Sequence, residues 1–195
     1  ATALTFGMVG IGDGENVRRA LTFFVSDNFF AFAGARPAAG RFFTPEEGRP
    51  NARIPVVVAS YRTWRRHGGR DDFVGSMLRV NGRPHTVIGV APEGFAGVSV
   101  LFSPEVWLPL GLYGQTSGPF GDGPAVRYLE DPAHFALNVN ARIHPGATIE
   151  STRAQLPVLD ARLNALLVND AEPRALQITE PSRLSATTSF LSATP

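Results

Sequence analysis

The dipeptide Asn81-Gly82 narrows most what this chain can fold into. Both residues tolerate positive φ, and they stand between two largely apolar runs, Met77–Val80 and residues 85–90. That combination is the strongest short-range signal of a two-stranded hairpin. Pro84 follows at once and, lacking an N–H, belongs at a strand start or an edge. Just upstream, residues 55–59 form an uninterrupted apolar run rich in valine, the pattern of a strand buried on both faces. Ser60 then stands where it can cap a helix over residues 61–67, which the pair Gly68-Gly69 stops. Residues 106–110 offer one more strand.

The two ends of the chain repeat a simpler pattern. Residues 4–9 and 20–26 read as strands joined by a glycine-rich turn. Ser26 or Asp27 can cap a short helix carrying Phe29, Phe30 and Phe32, which Gly34 ends and Pro37 prevents from continuing. Residues 35–42 return extended. Near the other end Phe135, Leu137, Val139, Ala141 and Ile143 alternate with period two, as in a half-buried strand. After Pro145-Gly146, the residues Ile149, Thr152, Leu156, Leu159, Leu163 and Leu166 recur at helical spacing. Pro157 interrupts that stripe, so the helix should kink there or begin anew. Residues 175–179 read as a last strand. The matched ends predict an α+β fold in which residues 1–44 plus 130–195 form one subdomain of two βαβ units. Residues 45–129 would be a smaller α/β subdomain inserted into it.

Composition bounds the chemistry. A chain of 195 residues allows one domain or two small ones. With 18 basic and 17 acidic groups, a net charge of +1 gives no electrostatic reason to bind nucleic acid. Absence of cysteine removes disulfides and thiolate zinc sites. Every basic residue is arginine, so no phosphate-binding loop with a lysine exists. No stretch approaches the ~18 apolar residues of a membrane span, and with its first methionine at Met8 the chain reads as a piece of a longer protein.

Local motifs add little. Gly10-x-Gly12-x-Gly14 lacks the dinucleotide spacing and reads as a turn. The neighbours in Glu46-Glu47 and in Asp71-Asp72 point apart, which suits solvated loop charges. His67, His85, His134 and His144 lack companions at metal-ligand spacing. The aromatic set Phe29, Phe30, Phe42, Phe43, Phe95, Phe102 and Trp107 suits a core. No catalytic, cofactor-binding or metal residue is expected. The functional surface is expected on loops, above all residues 111–123, whose five glycines can change shape and whose Tyr113 and Phe120 offer two aromatic handles.

From Val25 to Leu110 the punctuation resembles the MacB-like periplasmic core domain of bacterial ABC-type permeases. The resembling pieces are Val25-Ser26-Asp27-Asn28-Phe29-Phe30, Gly40-Arg41-Phe42-Phe43-Thr44, Val58-Ala59-Ser60-Tyr61, Leu78-Arg79-Val80-Asn81-Gly82-Arg83-Pro84, Val87-Ile88-Gly89-Val90-Ala91-Pro92 and Val106-Trp107-Leu108-Pro109-Leu110. Ala141-Arg142-Ile143-His144-Pro145-Gly146 resembles the family's closing unit. The hairpin turn and the strand after it look most like the duplicated orphan permeases that carry no ATPase on the same chain, and FtsX-like domains are more distant kin.

The resemblance implies a domain outside the cytoplasmic membrane, in the periplasm, between the first and second transmembrane helices. Its porter-like part would be the split subdomain. Its partners would be those helices, a second permease protomer, a separate ATPase subunit and a periplasmic adaptor. It implies mechanotransmission without a catalytic role or a cofactor. Two other readings of the residues stay open: a secreted or periplasmic enzyme with a site assembled from Glu46, Asp71, His85 and His134, and an adaptor that activates a cell-wall hydrolase.

Overall fold

The computed structural model describes residues 1–97, 103–115, 137–167, 173 and 175–178. The strands are β1 (Thr2–Ile11), β2 (Arg18–Val25), β3 (Ala39–Gly40), β4 (Val56–Ala59), β5 (Met77–Val80), β6 (Arg83–Val90), β7 (Val106–Pro109) and β8 (Asn138–Asn140). The helices are α1 (Phe29–Phe32), α2 (Pro45–Gly48), α3 (Tyr61–Arg66), α4 (Ile149–Arg153) and α5 (Leu156–Asn164). Single 3₁₀ turns occupy Gly14–Asn16, Asp71–Phe73 and Leu110–Gln115.

All eight strands belong to one sheet, and its path closes on itself. β1 pairs antiparallel with β2, from Leu4 opposite Val25 to Ile11 opposite Arg18. β2 runs parallel to β7, β7 antiparallel to β4, and β4 parallel to β6. β6 and β5 form the hairpin around Asn81-Gly82, and β5 returns to β1 through Ile11 opposite Val80. The result is a closed ring of six strands, β1-β2-β7-β4-β6-β5, which gives each of those strands a neighbour on both sides. β3 joins β6, and β8 joins β1 opposite Thr2, Ala3 and Leu4.

Alternation along the strands sorts the core into two clusters. Val9, Ile11, Ala20, Phe24, Val57, Ala59, Leu78, Val80, Val87, Val106 and Leu108 meet on one face, inside the ring. Phe23, Val25, Val56, Val58, Ile88 and Trp107 point the other way, where Phe29 and Phe30 of α1 cover them. The 55–59 run is accordingly buried on both faces, and Ser60 caps α3 by accepting the Thr63 N–H at 3.1 Å.

Two glycines explain the β3 edge. A Cβ on Gly89 would stand 2.1 Å from the Arg41 carbonyl oxygen, and one on Gly40 2.3 Å from that of Ile88. Only hydrogen at both positions lets the two backbones meet this closely.

The structure corrects several expectations. Helix α1 starts after Asn28, not after a Ser26 or Asp27 cap, and Asn28 makes no side-chain capping bond. The extended segment after α1 pairs antiparallel with β6 and not with β1 or β2, so it closes no βαβ unit with them. The alternating segment keeps only Asn138–Asn140 as strand among the described residues, and residues 175–178 form none. The helical stripe breaks at Pro157 as its chemistry requires: α4 ends at Arg153 and α5 starts anew with the proline in its first turn. Yet Leu159, Leu163 and Leu166 on that stripe are exposed, so the described part of the chain supplies no core for them.

Candidate functional site

The expected interaction loop divides at the limit of the described residues. Phe120 lies outside them. Tyr113 is no surface handle: it is 6% exposed, sits in the ring-side core and meets the Phe24 ring edge-on, with centroids 5.4 Å apart. The 3₁₀ turn that carries it packs against α2. A Cβ on Gly111 would stand 2.5 Å from the Glu47 carbonyl oxygen and 2.7 Å from that of Arg49. Gly111 thus forms part of a packed joint between this turn and the segment of α2 and the residues after it.

Charged side chains do their work in cohesion. Glu47 is buried and accepts two bonds from Arg41, Nη1 to Oε2 at 3.0 Å and Nη2 to Oε1 at 2.8 Å. It also accepts the Thr44 N–H at 2.8 Å, closing a capping box at the start of α2. Burial pushes its carboxyl pKa up, but Arg41 and the Thr44 N–H outweigh that and hold it below the ordinary carboxylate value. Glu105, at the entrance to β7, receives Arg18 of β2 and Arg66 of α3. Burial again raises its pKa, and the two guanidiniums again win. Its backbone is tied as well, since its N–H donates to Leu21 O at 2.9 Å and its carbonyl accepts from Ser60 N–H at 2.9 Å and Thr63 Oγ1 at 3.0 Å.

The four residues considered as an assembled enzyme site are not brought together by the described structure. Glu46 is exposed in the first turn of α2, and Asp71 is exposed in a 3₁₀ turn. His85 is buried on β6, with Nδ1 at 2.9 Å from the Arg83 carbonyl oxygen, to which it donates. His134 lies outside the described residues. Among the described residues no group of three His, Asp or Glu could hold a metal.

Of the aromatic set, Phe29, Phe30, Phe42, Phe43, Phe95 and Trp107 pack as a layer on the outer face of the sheet, and Phe102 lies outside the described residues. Phe30 stacks on Phe42 with centroids 3.9 Å apart and meets Trp107 at 5.5 Å, and Phe95 stands 5.6 Å from Trp107. The Trp107 indole N–H finds no acceptor among the described residues.

Sequence reasoning missed one concavity, an open groove of about 460 Å³ lined by Tyr61, Arg62, Arg65, Glu93 and Gly94. It arises because α3 turns two arginines toward the segment that follows β6. The signal was the arginine spacing in Tyr61-Arg62-Thr63-Trp64-Arg65, which a purely apolar reading of the helix passes over. The groove offers two cations, one carboxylate and a phenol, a set suited to polar contact with a charged or hydrogen-bonding group.

Ring, aromatic layer and cohesive ion pairs define a mixed α/β domain in which Glu47 and Glu105 serve packing. The MacB-like periplasmic core domain model matches residues 1–159. The chain therefore belongs to that family, the periplasmic domains of MacB-like ABC-type transporter permeases, and lies on the extracytoplasmic side of a membrane protein.

Solved structures agree on the fold. The periplasmic region of MacB from Actinobacillus actinomycetemcomitans superposes with a TM-score of 0.57 at 16% identity, over 83% of this chain and 66% of that one. A permease-protein domain from Porphyromonas gingivalis gives 0.53 at 18%, over 93% and 75%. The chain thus spans just under two thirds of the length of the MacB periplasmic region. No curated protein sequence matches it. No helix among the described residues is long and apolar enough to cross a membrane.

Proposed function

We propose that this domain carries no chemistry of its own and couples movement of transmembrane helices to the handling of a substrate or partner outside the membrane. The observation that carries the reading is the use made of two shielded carboxylates, Glu47 buried and Glu105 half-buried. Glu47 and Glu105 are each locked to arginines that join separate elements, so the acids best shielded from water serve cohesion. Elements tied in this way move together, so a displacement of one is passed on to its neighbours across the domain. Family membership supplies the context, and the partners in this reading are the helices of the full-length permease, a second protomer, an ATPase subunit and a periplasmic adaptor.

The division into residues 1–44 with 130–195 against residues 45–129 belongs to the same reading. In the ring, those parts meet at the β1–β5 and β2–β7 junctions. The test uses the full-length permease with its ATPase in lipid nanodiscs. Spin labels are placed at Val17→Cys and Val158→Cys, both exposed sites in a domain without cysteine, after any cysteine elsewhere in the assembly has been replaced. Addition of ATP should shift the distance distribution between the labels. An unchanged distribution while ATP is being hydrolysed would refute the coupling role.

A further inference from the structure

The ring has one weakest junction. β1 and β2 pair over eight residues, β2 and β7, β4 and β6, and β5 and β6 over four each, and β4 and β7 over two, but β5 meets β1 through Ile11 and Val80 alone. Two backbone bonds flank that pair, Asn81 N–H to Gly10 O at 2.8 Å and Gly12 N–H to Arg79 O at 3.2 Å. The Asn81 carboxamide adds one more, accepting the Gly10 N–H at 2.6 Å. Outside them Arg79 Nε reaches Asp13 at 3.1 Å, but both side chains are exposed and such a pair is worth little in water. The β2–β7 junction, by contrast, carries the buried Thr22 hydroxyl bond to Val106 O and the Glu105 ion pair with Arg18.

The β1 side of the junction is also the easiest part of the ring to bend. Gly10, Gly12 and Gly14 occupy the end of β1 and the turn after it, and Gly12 and Gly14 both have positive φ. On the other side, Asn81 itself sits at φ 49 in the tight turn, so one residue makes the β5–β6 turn and holds the junction. We infer that the β1–β5 junction is a seam at which the ring opens, the glycine-bearing end of the β1–β2 hairpin swinging away from the Asn81 turn while the β2–β7 junction stays closed and acts as the hinge. Local opening of this kind draws on the least-bonded part of a fold and needs no global unfolding. The inference stands on the ring alone and does not depend on the coupling role.

Amide hydrogen exchange on the 195-residue chain tests it. The amides of Gly12 and Asn81 report the seam; those of Glu105, Ser60 and Val87, each bonded across another junction, are the controls. Exchange at the seam should be at least about tenfold faster than at the controls. Ile11 and Val80 form the narrow, non-hydrogen-bonded kind of antiparallel pair, whose Cα spacing of about 4.5 Å lies within the range of a disulfide. In I11C/V80C, oxidation should slow Gly12 and Asn81 to the control rate, and reduction should restore them.

A second variant avoids touching the core. Asn81→Gly keeps the turn, removes only the carboxamide bond, and should speed exchange at Gly12, whose own bond it leaves in place, without changing Glu105 or Ser60. Seam amides as slow as the controls, exchange insensitive to oxidation, or an equal rise at every amide in Asn81→Gly would each overturn the inference.

Discussion

Among single residues, Tyr113 and His85 show where a side chain's type and its place part company. Tyr113 stands in a glycine-rich stretch, and glycine spacing says nothing about which rings turn inward. Its neighbours Leu110 and Leu112, both buried in the same cluster, were the available sign. Tyr113→Ser should cost about 3 kcal/mol, the size of a large-to-small change in a packed core, and urea unfolding would show it. A loss under about 0.5 kcal/mol, the range of ordinary surface substitutions, would put the ring back on the surface.

His85 is legible only as one member of a strand. It faces Leu78 across the hairpin and so shares the inward face of the ring. Burial pushes its imidazole pKa below the ordinary 6.5, and the bond to the Arg83 carbonyl opposes this only in part. The unfolded chain therefore takes up a proton that the folded chain refuses. The resulting stability is complete above about pH 6.5 and falls away as pH drops from there through the lower folded value. Glu47 and Glu105 lie below their ordinary 4.5 and lose their contribution only at lower pH. His85→Leu should thus show a smaller fall in unfolding free energy between pH 7.5 and pH 5.5 than the parent chain, as measured by urea titration. Equal falls in the two proteins would refute this.

Elements were read well where their signals are local and poorly where they depend on a partner. The Asn81-Gly82 hairpin, the Ser60 cap and the break at Pro157 each rest on a few adjacent residues, and each formed as expected. The partner of the strand after α1 could not be read in this way. Its pairing with β6 depends on Gly40 and Gly89 meeting across nearly fifty residues of chain, and one sequence does not link two distant glycines. Gly89→Ala tests that pairing directly. Its methyl would stand 2.1 Å from the Arg41 carbonyl oxygen, a backbone atom that cannot swing aside as a side chain would. The variant should lose several kcal/mol or fail to fold, whereas Gly14→Ala, with nothing within 4 Å of the new methyl, should lose only the roughly 1–2 kcal/mol that a left-handed φ costs an L residue. Similar losses in the two variants, read from thermal unfolding, would mean that β3 does not approach β6 so closely.

At the scale of the molecule, closure of six strands into a ring is the feature hidden most deeply from sequence, because it rests on the parallel β2–β7 and β4–β6 pairings. Neither has a turn to announce it. The ring concentrates the core, and it leaves the C-terminal part on different terms. Among the described residues β8 pairs with β1 alone, and Arg142 adds a bond to the Phe32 carbonyl oxygen and lies over the Phe32 ring. α5 meanwhile exposes Val158, Leu159 and Leu163. Proteases reach backbone that opens at low cost, so this difference can be read by digestion. Trypsin suits the purpose, because without lysine it can cut only after arginine. Limited digestion followed by mass spectrometry should show cleavage after Arg153 and Arg162, in and beside the exposed helices, before cleavage after Arg18 and Arg79 in the ring strands. Arg79 is a demanding control because its side chain is itself exposed, so slow cleavage there reflects the paired backbone of β5 and not a hidden arginine. Cleavage after Arg79 as early as after Arg162 would mean that the ring lends its strands no more protection than α5 has by itself.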